Sequence, residues 1–172
     1  MAWFDLVREI PDFPQKGVLF RDVLPVLANP RAQREMLDGL ESLIRPLAVE
    51  MVMAPEARGF LLAAPLADRL GAGLIAVRKA GKLPDPVFRE RYTLEYGENR
   101  LEVEVTDRLR GRRVVIVDDV LATGGTVQAC AALAARLSAE VAGFAFLIEL
   151  TQLNGRGRLA AGAAPIVALM TL

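Results

Sequence analysis

The chain has 172 residues, 53% of them apolar and 24% charged, with 21 basic residues balanced by 21 acidic ones. That size and mix fit one compact soluble domain over 1–172, exclude a disordered tail and leave no apolar run near the roughly 20 residues that would span a bilayer. Zero net charge argues against a protein that coats nucleic acid, and the absence of His excludes a His-based triad, a His general base and the usual zinc sites.

In chain order, Met1-Ala2-Trp3-Phe4-Asp5 lacks the basic stretch and apolar core of a secretory signal, so a cytoplasmic location is expected. The lone Cys130 agrees, because it has no partner for an internal disulfide. A short helix is predicted at about Trp3 to Glu9. After it the prolines and glycine of Pro11 to Gly17 deny regular structure, and 1–30 read as an arm or hood. Asn29 followed by Pro30 is a helix N-cap with Pro at the first helical position, opening a helix that runs to about Ile44 before Pro46 ends it. Met51 to Ala54 reads as a buried strand, and after a turn at Pro55 to Gly59 a helix continues to about Leu70. Leu74 to Arg78 is a second short strand, followed by a loop rich in Gly, Pro and charge from Lys79 to about Arg89.

Tyr92 to Tyr96 and Leu101 to Val105 flank Gly97-Glu98-Asn99-Arg100 and read as a β-hairpin whose second strand alternates apolar and acidic residues, with Glu102 and Glu104 facing solvent. Val114 to Val117 is continuously β-branched and predicts a parallel strand covered on both faces, ending in Asp118-Asp119. An Ala-rich helix follows from about Thr126 to Leu137, then strands at Val141 to Ile148 and Ile166 to Met170. Strands alternating with helices predict an α/β fold with a central, mostly parallel sheet, whose ligands bind at the carboxyl ends of the strands.

Val117-Asp118-Asp119-Val120-Leu121-Ala122-Thr123-Gly124-Gly125-Thr126 sets two carboxylates, two glycines and two threonines between a central strand and a helix N-terminus. The glycines let backbone approach a ligand closely, and the free amides at the helix start suit a phosphate. Thr123 and Thr126 add hydroxyl donors. Asp118 and Asp119 are placed to accept from sugar hydroxyls and to favour positive charge developing nearby. A Walker A loop is excluded, because Gly125 is followed by Thr126-Val127 and not by Lys and a hydroxyl residue. Two adjacent glycines also lack the spacing of a dinucleotide fingerprint, and a phospho-acceptor pocket has no use for the glycine-threonine loop.

This segment resembles the phosphoribosyl-diphosphate (PRPP) motif of the type I phosphoribosyltransferases. Pro11-Asp12-Phe13-Pro14, Gly17 to Asp22, Glu56-Ala57-Arg58-Gly59-Phe60, Arg78 to Pro84 and Leu94-Glu95-Tyr96-Gly97 are similar, in order, to segments of the adenine-specific members of that family. The resemblance implies the type I phosphoribosyltransferase fold, with an N-terminal hood and a flexible catalytic loop. It implies that adenine reacts with PRPP to give AMP and pyrophosphate, with Mg2+ as cofactor carried on PRPP oxygens and water. Carried over by residue, Ala122, Thr123, Gly124, Gly125 and Thr126 hold the 5′-phosphate, and Asp118 and Asp119 face the ribose. Glu56, Ala57, Arg58 and Gly59 receive pyrophosphate. Lys79 and Lys82 flank a closing loop, which gives a reason for two of only three lysines standing together beside Arg78 in a chain with 18 Arg. Leu19, Phe20 and Arg21 contact the base, partly through backbone, and Glu95 manages its proton. A homodimer is also implied, in keeping with the apolar content.

Two alternatives stay open at this stage. One is transfer to another purine base, since discrimination rests on few pocket groups. The other is a PRPP-sensing regulator acting on nucleic acid, for which neither a basic surface nor an added domain is visible.

Overall fold

The computed structural model describes residues 2–94, 97–160 and 164–172, with backbone alone for 93, 94, 97 and 98. They form two compact units, Met1–Gly39 and Leu40–Leu172. In the first, a 3-10 turn at Trp3–Leu6 precedes strand β1, Arg8–Pro11, which pairs antiparallel with β2, Leu19–Asp22. The predicted helix to Glu9 is therefore cut to one turn. Its second half is claimed by non-local pairing, in which Arg8 lies opposite Asp22 and its Nε donates to Asp22 Oδ2 at 3.1 Å. Helix α1 is Leu24–Leu27, and Asp22 Oδ1 accepts the Leu24 amide at its start.

Helix α2, Pro30–Ile44, begins where the sequence places it: Asn29 Oδ1 accepts the amides of Arg31 and Ala32 at 3.0 and 3.1 Å, two of the four donors a helix start leaves without partners. In the second unit β3 is Met51–Pro55, α3 is Arg58–Leu70 and β4 is Gly73–Lys79. Strands β5, Val87–Leu94, and β6, Gly97–Glu104, form the hairpin. Leu94 pairs with Gly97, so Gly97 to Arg100 belong to the second strand and do not form the predicted turn. Strand β7 is Arg113–Leu121, α4 is Gly125–Arg136, β8 is Glu140–Glu149, α5 is Gly155–Leu159 and β9 is Ile166–Thr171. Strand β7 thus runs through Asp118 and Asp119 instead of ending at them.

Among the described residues these strands make a seven-stranded sheet in the order β5-β6-β4-β3-β7-β8-β9. Strands β4, β3, β7, β8 and β9 run parallel and the hairpin antiparallel, which is the mostly parallel sheet expected. Val114 and Ile116 pack with Val127, Cys130, Leu133 and Ala134 of α4, whereas strand alternation sends Val115 and Val117 to the opposite face, equally buried. A β-branched run with no wet face is what the middle of such a sheet requires. No helix among the described residues is long and apolar enough to cross a membrane.

Candidate active site

From β3 the chain moves outward to β4 and the hairpin, then returns to the other side of β3 with β7. The direction of strand order therefore reverses between β3 and β7, and the carboxyl ends flanking such a reversal leave a crevice for ligand. Glu56 to Gly59 follow β3, Lys79 ends β4, and Asp118 to Thr126 end β7 and open α4.

Asp118 and Asp119 are successive residues of one strand, so they face opposite sides of the sheet. Asp118 Oδ1 accepts the Asp119 amide at 2.9 Å. It also lies against Gly59 of α3, where a Cβ would stand 3.1 Å from Asp118 Oδ1 and from the Val117 carbonyl oxygen. Glycine at 59 thus lets the first turn of α3 close onto the end of β7. Burial pushes the Asp118 carboxyl well above the usual carboxylate range, and the neighbouring Asp119 charge adds to the rise. Asp119 is 2% exposed, with Oδ2 2.6 Å from Arg58 Nε. An Arg58 terminal nitrogen donates to Asp119 Oδ1 at 3.4 Å, whereas Oδ2 has no hydrogen-bond donor. Burial raises the Asp119 carboxyl while the Arg58 charge opposes the rise.

The loop after β7 turns at Gly124, whose φ of +80° is a left-handed conformation open to glycine, and α4 starts there with no side chain capping it. Its first-turn amides have no intrahelical acceptor and stand at the positive end of the helix dipole. Gly155, the first residue of α5, supports the loop from behind: a Cβ there would lie 2.2 Å from the Ala122 carbonyl oxygen. Tyr92 of β5 hydrogen-bonds Thr126, and burial raises its phenol above the usual range.

Across the crevice Glu56 Oε2 accepts from Arg78 Nε at 2.9 Å and from the Lys79 amide at 3.1 Å. These bonds, the Arg78 one first, hold the Glu56 carboxyl below the usual range, and the Lys82 charge acts in the same direction. Arg78 also stands over the Phe60 ring, 6.0 Å from its centroid. The Glu56–Ala57 peptide is cis. Of the residues expected at pyrophosphate, Glu56 thus bonds the Lys79 amide and feels the Lys82 charge, and Arg58 pairs with Asp119. Leu19, Phe20 and Arg21 lie in β2 of the first unit, where Phe20 meets Phe13 edge-on with centroids 5.1 Å apart and Arg21 pairs with Glu9. Glu95 lies outside the described residues.

Several groups around the crevice carry no signal in the linear sequence. Arg78 opens a segment that resembles the family, but nothing in the linear sequence shows that it holds Glu56. Gly155 opens a stretch with two glycines, and only the fold shows which of them meets the phosphate-type loop. Glu102 contradicts its expected exposure: it is 2% exposed, because Arg89 Nε at 2.8 Å and the Gly81 amide at 2.9 Å cover its carboxylate. Glu104, two residues on, is exposed as expected.

Residues 32–161 match the phosphoribosyl transferase domain family. An adenine phosphoribosyltransferase of Synechococcus sp. is 51% identical over 166 residues, covering 96% of each chain. The crystal structure of adenine phosphoribosyltransferase from Thermoanaerobacter pseudethanolicus superposes with a TM-score of 0.94 at 46% identity, over 98% of this chain and 97% of that one. The Saccharomyces cerevisiae enzyme, solved with D-2,5-dideoxy-2,5-imino-altritol 1,6-bisphosphate and adenine, superposes with a TM-score of 0.91 at 35% identity, over 97% of this chain and 96% of that one. With its parallel sheet, its acidic pair before a glycine-threonine loop and these relatives over nearly its whole length, the chain belongs to the adenine phosphoribosyltransferases of the phosphoribosyl transferase family.

Proposed function

We propose that the crevice between the carboxyl ends of β3 and β7 is where this chain transfers the phosphoribosyl group of PRPP to adenine, with the residue roles that the family resemblance implies. The observation that carries the assignment is the acidic pair, half-buried Asp118 and buried Asp119, on the strand that leads to an uncapped helix start at Gly124. Thr123 and Thr126, with the amides of Ala122 to Thr126, bind the 5′-phosphate. Asp118 and Asp119 face the ribose. As an adenine nitrogen displaces pyrophosphate at the anomeric carbon, the bond to the leaving group breaks early and the sugar becomes oxocarbenium-like. Carboxylates fixed nearby stabilise that charge without reorganising.

Arg58, Lys79 and Lys82 neutralise the departing diphosphate, with the loop of Glu56, Ala57 and Gly59 shaping its seat. Leu19, Phe20 and Arg21 bind adenine, and Glu95 manages the proton of the base. Closure of the loop between Lys79 and Lys82 excludes water and so limits hydrolysis of PRPP.

Mg2+ suits this donor set. Among the described residues no group of three His, Cys, Asp or Glu is arranged to hold a metal, while Asp119 Oδ2 is a buried hard oxygen with no hydrogen-bond donor. A carboxylate of the acidic pair would hold through water an ion that arrives on PRPP, and when bound it supplies neutralisation of phosphate charge. A homodimer belongs to the same proposal, as the family resemblance implies. A cytoplasmic location is supported by the free thiol of Cys130. The chain is read as one phosphoribosyltransferase domain with an arm at 1–30.

Incubating the purified protein with PRPP, Mg2+ and each purine base in turn, and separating products by chromatography, tests this. AMP and pyrophosphate from adenine alone are expected. IMP or GMP formed at equal rate would overturn the base assignment, and PRPP binding without product would overturn the catalytic one.

A further inference from the structure

We infer that Glu102 is a positioning residue for the lysine loop, a role that rests on the assignment of Lys79 and Lys82 to pyrophosphate. Glu102 stands on β6 with Arg78 of β4 opposite it on one side and Arg89 of β5 opposite it on the other. Residues directly opposite on neighbouring strands share a face of the sheet. The row is therefore Arg, Glu, Arg, and each outer arginine holds a further acid. Arg78 Nε donates to Glu56 Oε2 at 2.9 Å, and an Arg89 terminal nitrogen donates to Asp85 Oδ1 at 2.9 Å. Charges alternate along this row beneath the segment from Lys79 to Pro86.

The two oxygens of Glu102 divide the work. Oε1 accepts from Arg89 Nε at 2.8 Å, and Oε2 accepts the backbone amide of Gly81 at 2.9 Å. Gly81 stands between the two lysines, with φ of +77°. One buried carboxylate thus fixes the middle of the loop directly and its far end through Arg89 and Asp85. The near end is fixed separately, by Glu56 on the Lys79 amide at 3.1 Å. A carboxylate at 2% exposure has little water to fall back on, so losing either donor carries the cost of an unsatisfied buried charge. This ties the loop of the diphosphate lysines to β5 and β6, the two strands that lead to Glu95. Closure over pyrophosphate and the position of the hairpin then act on one shared group.

Replacing Glu102 with glutamine keeps the shape and one acceptor but sets an amide against a donor. Glu102→Gln is expected to weaken pyrophosphate, measured as a product inhibitor, and to raise KM for PRPP, each by about tenfold. The KM for adenine should change by less than about twofold, and the Gly81 amide should exchange hydrogen faster. A residue that only supports the fold would not divide the constants in this way. Glu104→Gln, on an exposed neighbour, should leave all of these unchanged. Should Glu102→Gln fail to fold by its thermal transition, Arg89→Gln decides, because it removes one donor from the same carboxylate and releases Asp85. Unchanged pyrophosphate inhibition with a still protected Gly81 amide, in whichever variant folds, overturns the proposal.

Lys79→Ala and Lys82→Ala separate the two levels. If they weaken pyrophosphate and the Glu102 and Arg89 variants do not, the positioning role fails while the site assignment stands. If the lysine variants bind pyrophosphate as the parent does, the assignment itself fails, and the proposal with it.

Discussion

Replacing Gly155 by alanine asks whether the loop proposed to bind the 5′-phosphate is held from behind. A Cβ at this position would lie 2.2 Å from the Ala122 carbonyl oxygen, 2.8 Å from Leu121 Cδ1 and 3.1 Å from the Ala122 carbonyl carbon. An ordinary carbon–oxygen contact is about 3.3 Å, so one side must retreat by about 1 Å. The group struck is backbone, with no rotamer to escape into. Overpacking of this kind costs about 1–3 kcal/mol, offset in part because Ala favours helix over Gly by up to about 1 kcal/mol. The larger effect falls on ligand, since a 1 Å displacement of a positioning element costs up to about a hundredfold. Steady-state AMP formation with PRPP varied should show KM for PRPP raised about ten- to a hundredfold, and KM for adenine changed by less than about threefold. Gly157→Ala, in the same short helix, is the control: the atoms nearest its Cβ belong to the Asn154 side chain, with Oδ1 at 2.5 Å, and that exposed side chain is able to swing away. If Gly155→Ala and Gly157→Ala give the same KM for PRPP, the support of the loop by α5 is refuted.

Two further predictions concern the acidic pair. Asp118 has its carboxyl raised by burial and by Asp119, so the folded state holds a proton that the unfolded chain releases. Its contribution to stability is therefore complete below about pH 3.9, the ordinary Asp value, and is lost as pH rises from there to its raised folded value. Asp118→Asn removes that loss, and its melting temperature should gain on the parent as pH increases across this window while activity falls; parallel melting curves would contradict the burial argument. Arg58→Gln takes the cation from Asp119, leaving a carboxylate whose side chain is 3% exposed. It should destabilise the protein, and adding Asp119→Asn should restore part of the loss, with a coupling of about 1–3 kcal/mol in denaturant titrations. Additive effects would mean that the pair is not coupled.

What was legible in the sequence was local. Asn29-Pro30 announces a helix start because the cap and the fixed proline φ act within one turn, and the Asn29 side chain bonds the two amides expected of it. Val114 to Thr126 announces a strand, an acidic pair and a glycine turn into a helix because each residue type there has one dominant use. The groups that went unread depend on partners distant in the chain. Arg8 leaves its predicted helix for Asp22, Gly155 fits under Ala122, and Glu102 is buried between two arginines from different strands.

Glu102 shows the physical limit most clearly. Alternation along β6 fixes which face each residue takes, and Leu101 and Val103 do enter the core. It does not fix whether the other face is wet, because that depends on what crosses over it. Here the loop after β4 crosses, and the register that sets Glu102 opposite both Arg78 and Arg89 turns a solvent-type position into a buried anchor. The same logic separates the acidic glycine-threonine segment, which is continuous in the chain, from the residues that support it, which are not. Groups that meet a ligand are gathered at strand ends by one short segment, whereas the groups that hold them still come from wherever the sheet order brings neighbouring strands together.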